Sequence, residues 1–252
     1  MEDSDHPFLS CVCLTYNRPK CVDSILACYQ AFDWPISRRE LIILDDGGLH
    51  RTQQGPGWRL VTAAQRFSTL GEKRNFATTL VARDCWAIVV MDDDDIYLPW
   101  TLRAHFFALA QAGWSRPSQV YHAKGDSLHV ANTGGLYHAS WAFRRDVLTR
   151  VGGYPQINNG EDQVLAASLM AAGVSVMDPI SGFPPFFILE FETGYPHLSL
   201  MDNETGWSQM QSLRDNLHGH LNSEPRTVTP QWRKDYIKMA RQAIAQRQPP
   251  LE

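Results

Sequence analysis

The sequence predicts an α/β fold in which a Rossmann-like, mainly parallel sheet is flanked by helices and followed by a smaller mixed region. Predicted strands and helices alternate from residue 8 to residue 112, an order that is typical of βαβ units. The strands are continuous apolar runs, which indicates that helices cover both faces of the sheet. With 44% hydrophobic and 20% charged residues, the composition is also that of a globular protein.

The first half of the chain supplies the alternating elements. A helix is predicted to begin at Asn17 and Pro19, because Asn caps helices and Pro is tolerated in their first turn. Apolar residues then recur at positions 22, 25, 26, 29 and 32, the spacing of an amphipathic helix. In chain order the sequence predicts strand 8–15, this helix, strand 41–44, a short strand 58–61, helix 70–83, strand 86–91 and helix 99–112.

The pattern changes after residue 115. Short strands are predicted at 120–122, 127–130, 140–143 and 186–189, together with helices at 144–151 and 161–172. Residues 230–246 predict a polar helix that lies on the surface. The changes in pattern divide the chain into three parts, 1–115, 116–200 and 201–252.

The composition excludes several classes of protein. The net charge of −4, with no basic stripe, argues against a nucleic-acid binder. The longest clean apolar run, 86–91, is far shorter than the roughly 20 residues of a membrane helix, and the acidic N-terminus is unlike a signal peptide. The five cysteines form no metal-binding motif and are odd in number, so we expect reduced thiols and a cytoplasmic protein.

Four consecutive aspartates, Asp92–Asp95, follow the predicted strand 86–91. Adjacent carboxylates repel one another, so the row favours a bound cation over a solvated acidic loop. On an extended backbone, Asp92 and Asp94 point to one side and offer two oxygens to Mg²⁺ or Mn²⁺. An EF-hand is excluded because Tyr97 and Arg103 occupy the positions of its required Gly and Glu.

Three further polar clusters follow strands or open helices. Residues 45–48, with the sequence DDGG, predict either a ligand-binding loop or a plain turn. Lys73 and Arg74 are either ligand-binding cations or solvated helix charges. Glu161 and Asp162 begin a helix, where the dipole favours ionised acids, and this position suits both a general base and a simple first-turn acid.

Five segments together resemble the inverting, nucleotide-sugar-dependent glycosyltransferases of family 2, which have the GT-A fold. The segments are LTYNRP at 14–19, LDDGG at 44–48, GEKRN at 71–75, MDDDD at 91–95 as the DxD motif, and GED at 160–162. Each segment is weak alone, but their order and spacing are specific over about residues 8–190. The resemblance implies a GT-A fold with a mixed acceptor-side region.

The resemblance also implies roles for individual residues. Asp162 is the implied general base, and Asp94 and Asp92 are the implied metal ligands. Glu161 and Trp141 face the acceptor, although Trp141 equally suits a core position. Thr15 and Tyr16 are implied to line the nucleobase pocket, and Asp46, or less favourably Asp45, to accept a hydrogen bond from the base. The full set of implied nucleotide-binding residues is Thr15, Tyr16, Asn17, Arg18, Asp45, Asp46, Lys73, Arg74, Asp92 and Asp93. Four aspartates replace the family's D-x-D-D, which leaves the metal ligand open between Asp94 and its neighbours.

The implied activity is transfer of a sugar from a nucleoside diphosphate sugar, with UDP favoured, to a saccharide or glycolipid hydroxyl, with inversion and with Mn²⁺ or Mg²⁺. Residues 1–115 are then the nucleotide-sugar-binding half, 116–200 the acceptor-binding and catalytic half, and 201–252 a C-terminal helical extension. One alternative is a sugar-phosphate nucleotidyltransferase, but residues 15–19 lack its Gly-rich loop. The other is a non-catalytic Ca²⁺- or carbohydrate-binding module, which needs no base at Asp162.

Overall fold

The computed structural model of the protein describes residues 6–189 and 228–246, which form two sheets and six α-helices. The strands are β1 Leu9–Thr15, β2 Arg39–Asp45, β3 Gln53–Gly55, β4 Trp58–Thr62, β5 Ala87–Asp92, β6 Ile96–Tyr97, β7 Trp114–Ser115, β8 Gln119–Lys124, β9 Ser127–Asn132, β10 Ala142–Arg144, β11 Val176–Met177 and β12 Phe187–Leu189. The helices are α1 Pro19–Ala31, α2 Leu70–Thr79, α3 Thr101–Leu109, α4 Arg145–Arg150, α5 Glu161–Ala171 and α6 Tyr236–Ala245.

The larger sheet has the order β11-β7-β10-β5-β1-β2-β4-β3, and its centre is parallel. Strands β5, β1, β2 and β4 run in one direction, whereas β10 and β3 are antiparallel to their neighbours. Thr15 lies opposite Asp45, and Leu14 lies opposite Asp92. The carboxyl ends of three strands, with both acidic clusters, therefore meet at one edge, where ligands bind in open α/β sheets.

Helices cover both faces of this sheet, as the apolar strands predict. Cys11 and Cys13 belong to one core cluster with Ile25 of α1, whereas Val12 packs with Ala77 of α2 on the opposite face. This alternation follows from the period of two along a strand. The predicted α/β architecture is thus confirmed.

The smaller sheet has the order β6-β12-β8-β9, and α6 packs against β9. The prediction of a polar, surface-lying helix at 230–246 is wrong in two respects. The helix begins only at Tyr236, where the side chain of Asp235 caps it by accepting a hydrogen bond from Lys238 N. Its face formed by Tyr236, Met239 and Ala240 is buried, because their spacing of three and four residues aligns them toward the sheet.

Four short strands carried no sequence signal. Strands β3, β6, β7 and β11 are two or three residues long, too short for a hydrophobic period to be visible. The predicted extension 201–252 falls partly outside the described residues. In the two ranges that the structure describes, no helix has both the length and the apolar character needed to cross a bilayer.

Candidate active site

A cavity of about 420 Å³ opens at the carboxyl edge of the larger sheet. The ends of β1 and β5, the first turns of α2 and α5, and the segment 136–139 form its wall. Most of the residues that the sequence singled out line it together: Thr15, Tyr16, Arg18, Lys73, Arg74, Asp92, Asp93, Asp94, Glu161 and Asp162. The sequence separates these residues by up to 147 positions, and the parallel topology brings them into one site.

The aspartate row does not keep the alternation expected of a strand. Strand β5 ends at Asp92, and the chain turns through residues 93–95 before β6. As a result Asp92, Asp94 and Asp95 each bring one carboxylate oxygen to within 4.8 Å of the others. Burial raises the pKa of Asp95 well above its usual value, and the charges of Asp94 and Asp92 raise it further. Asp95 therefore forms one cluster with Asp92 and Asp94, the two acids that the resemblance implies as metal ligands.

Asp93 also lines the cavity, but its carboxylate is paired with donors of the protein. Its Oδ2 accepts a 2.6 Å hydrogen bond from Thr15 Oγ1, and its Oδ1 accepts a 2.8 Å bond from Arg18. The same guanidinium group lies 2.8 Å from Asp94 Oδ2. Burial raises the pKa of Asp93 to about 6 although the charge of Arg18 opposes this shift. Arg18 thus lines the cavity and partly compensates the charge of the row.

The acids after β2 face inward. Asp45 is fully buried, and its two oxygens accept backbone bonds from Gly47 N at 2.7 Å and His50 N at 3.1 Å. Asp46 accepts hydrogen bonds from Lys73 Nζ and, at 3.3 Å, from Phe67 N. Within the described residues, the cavity wall includes Lys73 but neither of these aspartates. Of the two interpretations of residues 45–48, a ligand-binding loop or a plain turn, the hydrogen bonds of Asp45 to its own loop match the plain turn.

Asn17 also lies behind the wall of the cavity. It is 6% exposed and has a positive φ of 53°, which places the chain in a sharp turn after β1. A Cβ added at Gly47 would lie 2.5 Å from Asn17 Oδ1, so the two loops pack too closely for a larger residue there. Asn17 and Gly47 therefore fix the loops of β1 and β2 against each other.

Trp141 occupies the core, one of the two positions that the sequence left open. It is 2% exposed, and its Nε1 donates a 2.8 Å hydrogen bond to Gly135 O. Its ring meets that of Trp114 edge to face, with 4.8 Å between centroids. The described cavity wall does not include Trp141, which packs in a core cluster with Trp114 and Phe143.

An ion-pair network joins the acidic row to α5. Arg74 Nε donates a 3.0 Å hydrogen bond to Glu161 Oε1, and Arg74 Nη1 lies 3.9 Å from Asp92 Oδ1. Burial raises the pKa of Glu161 although Arg74 opposes the shift. Asp162 is half-buried, lines the same cavity and follows Gly160, whose φ of 75° turns the chain into α5. Its Oδ1 accepts a 2.8 Å hydrogen bond from Gln163 N.

Several residues of the site carried no clear sequence signal. His138 and Tyr137 line the cavity, and His138 Nε2 lies 3.0 Å from the hydroxyl group of Tyr154. Burial lowers the pKa of His138 well below its usual value, and the charge of Arg74 adds to this. Arg66 places its guanidinium group 4.1 Å from the ring centroid of Tyr16, and its Nη1 lies 2.8 Å from the hydroxyl of that tyrosine. These contacts join segments that no local pattern connects.

No protein-family model matches the sequence, and no curated protein sequence matches it. Solved structures do resemble it. The mannosyltransferase PcManGT from Pyrobaculum calidifontis, in complex with GDP-Man and Mn²⁺, has a TM-score of 0.56 and 18% identity, over 77% of this chain and 60% of that chain. S. aureus TarS 1–349 in complex with UDP-GlcNAc has a TM-score of 0.61 and 15% identity, over 87% of this chain and 68% of that chain.

The same TarS fragment in complex with UDP has a TM-score of 0.57 at 15% identity. The chain spans 60% of the length of PcManGT. The sequence identities to these structures are 15% to 18%. Similarity at this level concerns the arrangement of the backbone. The chain therefore has the GT-A-type fold of these glycosyltransferases, as the sequence motifs predicted.

Proposed function

We propose that the protein is a metal-dependent glycosyltransferase that moves a sugar from a nucleoside diphosphate sugar to an acceptor hydroxyl, with inversion. One observation carries the proposal. Three carboxylates converge within 4.8 Å at the carboxyl edge of the sheet, in the cavity that Asp162 also lines. The similar structures add support, because their names describe complexes with GDP-Man and Mn²⁺, UDP-GlcNAc or UDP.

The carboxylates fit a hard divalent cation. Asp92, Asp94 and Asp95 offer only oxygen ligands, which Mn²⁺ and Mg²⁺ prefer. Asp94 and Asp95 are buried, and a bound cation relieves the repulsion between them. When bound, such a cation acts as a Lewis acid for the charge that develops on a departing diphosphate.

The remaining residues of the cavity bind the donor and move a proton. Arg74 has a raised pKa, because the nearby charges, that of Asp92 first, outweigh the effect of burial, so it stays cationic beside a diphosphate. Asp162 lies in the first turn of α5 and lines the cavity. It accepts the proton of the acceptor hydroxyl, which is a poor nucleophile until then. One displacement assisted by one base inverts the anomeric carbon.

The donor favoured in this proposal is a UDP-sugar, and the acceptor is a saccharide or a glycolipid. TarS is the similar structure with UDP and UDP-GlcNAc, whereas PcManGT is in complex with GDP-Man, so both bases belong in a test. Within the described residues, segments before residue 115 supply the donor side, and α5 supplies the base. All five cysteines are free and buried, which suits the reducing cytoplasm.

A panel of UDP- and GDP-sugars tests the proposal directly. Each sugar nucleotide is added to the protein with Mn²⁺ or with EDTA, and both thermal shift and donor hydrolysis are measured. We expect one nucleotide series to stabilise the protein and to be hydrolysed slowly, and only with Mn²⁺. Stabilisation by free sugars or by Ca²⁺, with no stabilisation by any sugar nucleotide and no hydrolysis, contradicts the proposal and favours a binding module. Formation of a nucleotide sugar from a nucleoside triphosphate and a sugar phosphate favours a nucleotidyltransferase.

A further inference from the structure

The connection that precedes Asp162 contains no helix or strand of its own. It runs from residue 151 to residue 160, between α4 and α5, and its residues 156–159 are exposed. It also lines part of the cavity, through Asn158, Asn159 and Gly160. A segment of this kind takes its position from the groups to which its backbone and side chains are hydrogen-bonded. Those bonds therefore determine where the first turn of α5, with Asp162, lies.

Helix α2 is hydrogen-bonded to this connection at several points. At the start of the helix, Leu70 N donates a 2.9 Å bond to Asn158 Oδ1, and Gly71 N donates a 3.1 Å bond to Ile157 O. The first N–H groups of a helix have no partner within it, so acceptors in the connection satisfy these two. The approach is close, because a Cβ added at Gly71 would lie 1.7 Å from Pro155 O.

Asn75 makes a two-point attachment farther along α2. Its Nδ2 donates a 2.7 Å hydrogen bond to Tyr154 O, and its Oδ1 accepts a 2.8 Å bond from Tyr154 N. A side-chain amide carries both a donor and an acceptor, so one asparagine pairs with both backbone groups of one residue. Gly153 leaves room for it, since a Cβ added there would lie 2.5 Å from Asn75 Oδ1.

Asn75 itself lies outside the cavity. Within the described residues, the cavity wall includes its neighbours Lys73 and Arg74 but not Asn75. The family resemblance assigns it no role, although it belongs to the GEKRN segment at 71–75. An effect of its side chain on a reaction in the cavity therefore passes through Tyr154, to which it is hydrogen-bonded.

Tyr154 connects this attachment to the residues around the base. It is buried, its hydroxyl group lies 3.0 Å from His138 Nε2, and the guanidinium carbon of Arg74 lies 5.8 Å from its ring centroid. Arg74 in turn donates a hydrogen bond to Glu161, the residue directly before Asp162. A shift of the Tyr154 backbone would thus displace the connection at the point where it passes Arg74 and leads to α5.

We infer that Asn75 is a positioning residue, which sets the place of Asp162 in the cavity by fixing the backbone of Tyr154 to α2. This inference rests on the proposed function, in which Asp162 is the general base. A displacement of about 1 Å in a reacting group costs about 100-fold in rate, so a small shift of the connection is sufficient to slow the chemical step. Donor binding does not depend on the position of the base.

A double-mutant cycle of Asn75→Ala and Asp162→Asn tests the inference. For the wild type, the two single variants and the double variant, we measure Mn²⁺-dependent hydrolysis of the sugar nucleotide that the wild type uses, and affinity for its nucleoside diphosphate by calorimetry. We expect Asn75→Ala to slow hydrolysis about 10- to 100-fold with unchanged affinity. In the Asp162→Asn background the same change should have less than about a 2-fold effect, because no base is left to position.

Ser115→Ala is the matched control for the loss of a buried hydrogen bond. Ser115 Oγ lies 2.9 Å from His105 Nδ1, both residues are buried, and neither belongs to the described cavity wall. We expect this variant to melt at a lower temperature and to hydrolyse the sugar nucleotide at the wild-type rate. If melting curves show that Asn75→Ala is unfolded, Asn75→Asp, which keeps an acceptor for Tyr154 N, takes its place in the cycle.

Three results overturn the inference and leave the proposed function intact. The first is a wild-type rate of hydrolysis in the folded Asn75 variant. The second is an equal slowing in both backgrounds, which makes Asn75 a merely structural residue. The third is a loss of nucleotide affinity that accounts for the slowing, which assigns the effect to Arg74 and the donor.

Two further results separate the inference from the assignments on which it rests. A normal rate in Asp162→Asn removes the base and the inference with it, while Mn²⁺-dependent nucleotide binding still supports a glycosyltransferase. A wild-type protein that neither binds nor hydrolyses any sugar nucleotide with Mn²⁺ overturns both proposals together.

Discussion

Two groups of aspartates follow strands on either side of β1, and the protein uses them differently. In the β2 pair, Asp45 and Asp46, the carboxylate oxygens accept hydrogen bonds from backbone N–H groups and from Lys73. The β5 row, Asp92–Asp95, gathers three carboxylates in an open cavity. Both groups lie at the same edge of the same sheet, so their position alone does not determine their role.

The number of nearby donors accounts for the difference. The loop after β2 folds back, so that the backbone N–H groups of Gly47 and His50 reach the oxygens of Asp45. In the β5 row the internal donors Thr15 and Arg18 converge on Asp93. Asp94 also lies 2.8 Å from Arg18, and Asp92 lies 3.9 Å from Arg74, but the three converging carboxylates still carry like charges that repel one another. This excess of like charges is why, in our proposal, the β5 row and not the β2 pair holds a cation.

The largest expected effect is that of changing Asp162, which lies in neither group. Its variant distinguishes nucleotide binding from the chemical step. Asp162→Asn keeps the size of the side chain and removes the base. We expect turnover to fall about 10²- to 10⁴-fold, the usual contribution of general-base catalysis, with unchanged Mn²⁺-dependent nucleotide affinity. Initial rates and calorimetry measure the two quantities. Asp146→Asn, which changes an exposed first-turn acid of α4, is the matched control. Normal turnover in Asp162→Asn would exclude this residue as the base.

The next effect tests the β5 row as a cation site. Asp94→Asn removes one of the three converging carboxylates and also reduces the repulsion among the buried acids. We expect Mn²⁺ affinity to fall more than about 100-fold, because even outer partners of metal ligands contribute about 10- to 100-fold. The melting temperature of the metal-free protein should not fall, because the reduced repulsion among the acids offsets the lost Arg18–Asp94 ion pair and Arg18 keeps its bond to Asp93. Unchanged Mn²⁺ affinity would show that the row is only an acidic turn.

Much of this arrangement was predictable from sequence because its signals are local. Long apolar runs predicted β1, β2 and β5, and a strand end predicted where the acids would collect. The sequence left open which neighbour of Asp94 joins the cluster, because the convergence of Asp95 with Asp92 and Asp94 depends on the turn at 93–95 and on the return of the chain into β6. That strand is two residues long and is held by β12, where Ile96 pairs with Ile188, 92 positions away.

The positions of Trp141 and His138 depend on distant residues in the same way. Whether Trp141 faces a ligand or the core depends on two contacts. The carbonyl oxygen of Gly135 accepts a hydrogen bond from its indole N–H, and the ring of Trp114 packs against its ring. His138 lines the cavity because Tyr154 and the segment 136–139 position it. A residue type indicates what chemistry is available, and non-local packing decides whether that chemistry faces a ligand.

The smallest expected effect tests the β2 pair as structure. Asp45→Asn replaces one carboxylate oxygen by an NH₂ group, so that the N–H of Gly47 or of His50 loses its acceptor in a fully buried site. An unsatisfied buried donor costs about 1–3 kcal/mol. For a chain of this size each kcal/mol lowers the melting temperature by about 2–4 °C, so we expect a fall of about 2–12 °C. Differential scanning calorimetry measures it.

Asp45→Asn and Asp94→Asn form a crossed pair, in which each variant is the control of the other. The first should lose stability and keep its Mn²⁺ affinity, because the side-chain oxygens of Asp45 accept hydrogen bonds from backbone N–H groups of its own loop and lie outside the described cavity wall. The second should lose Mn²⁺ affinity and keep its stability. If Asp45→Asn instead weakens Mn²⁺ or nucleotide binding while its melting temperature is unchanged, the aspartates after β2 serve the ligand as well. The distinction between the two groups would then depend on which ligand is bound and not on the donors that the fold supplies.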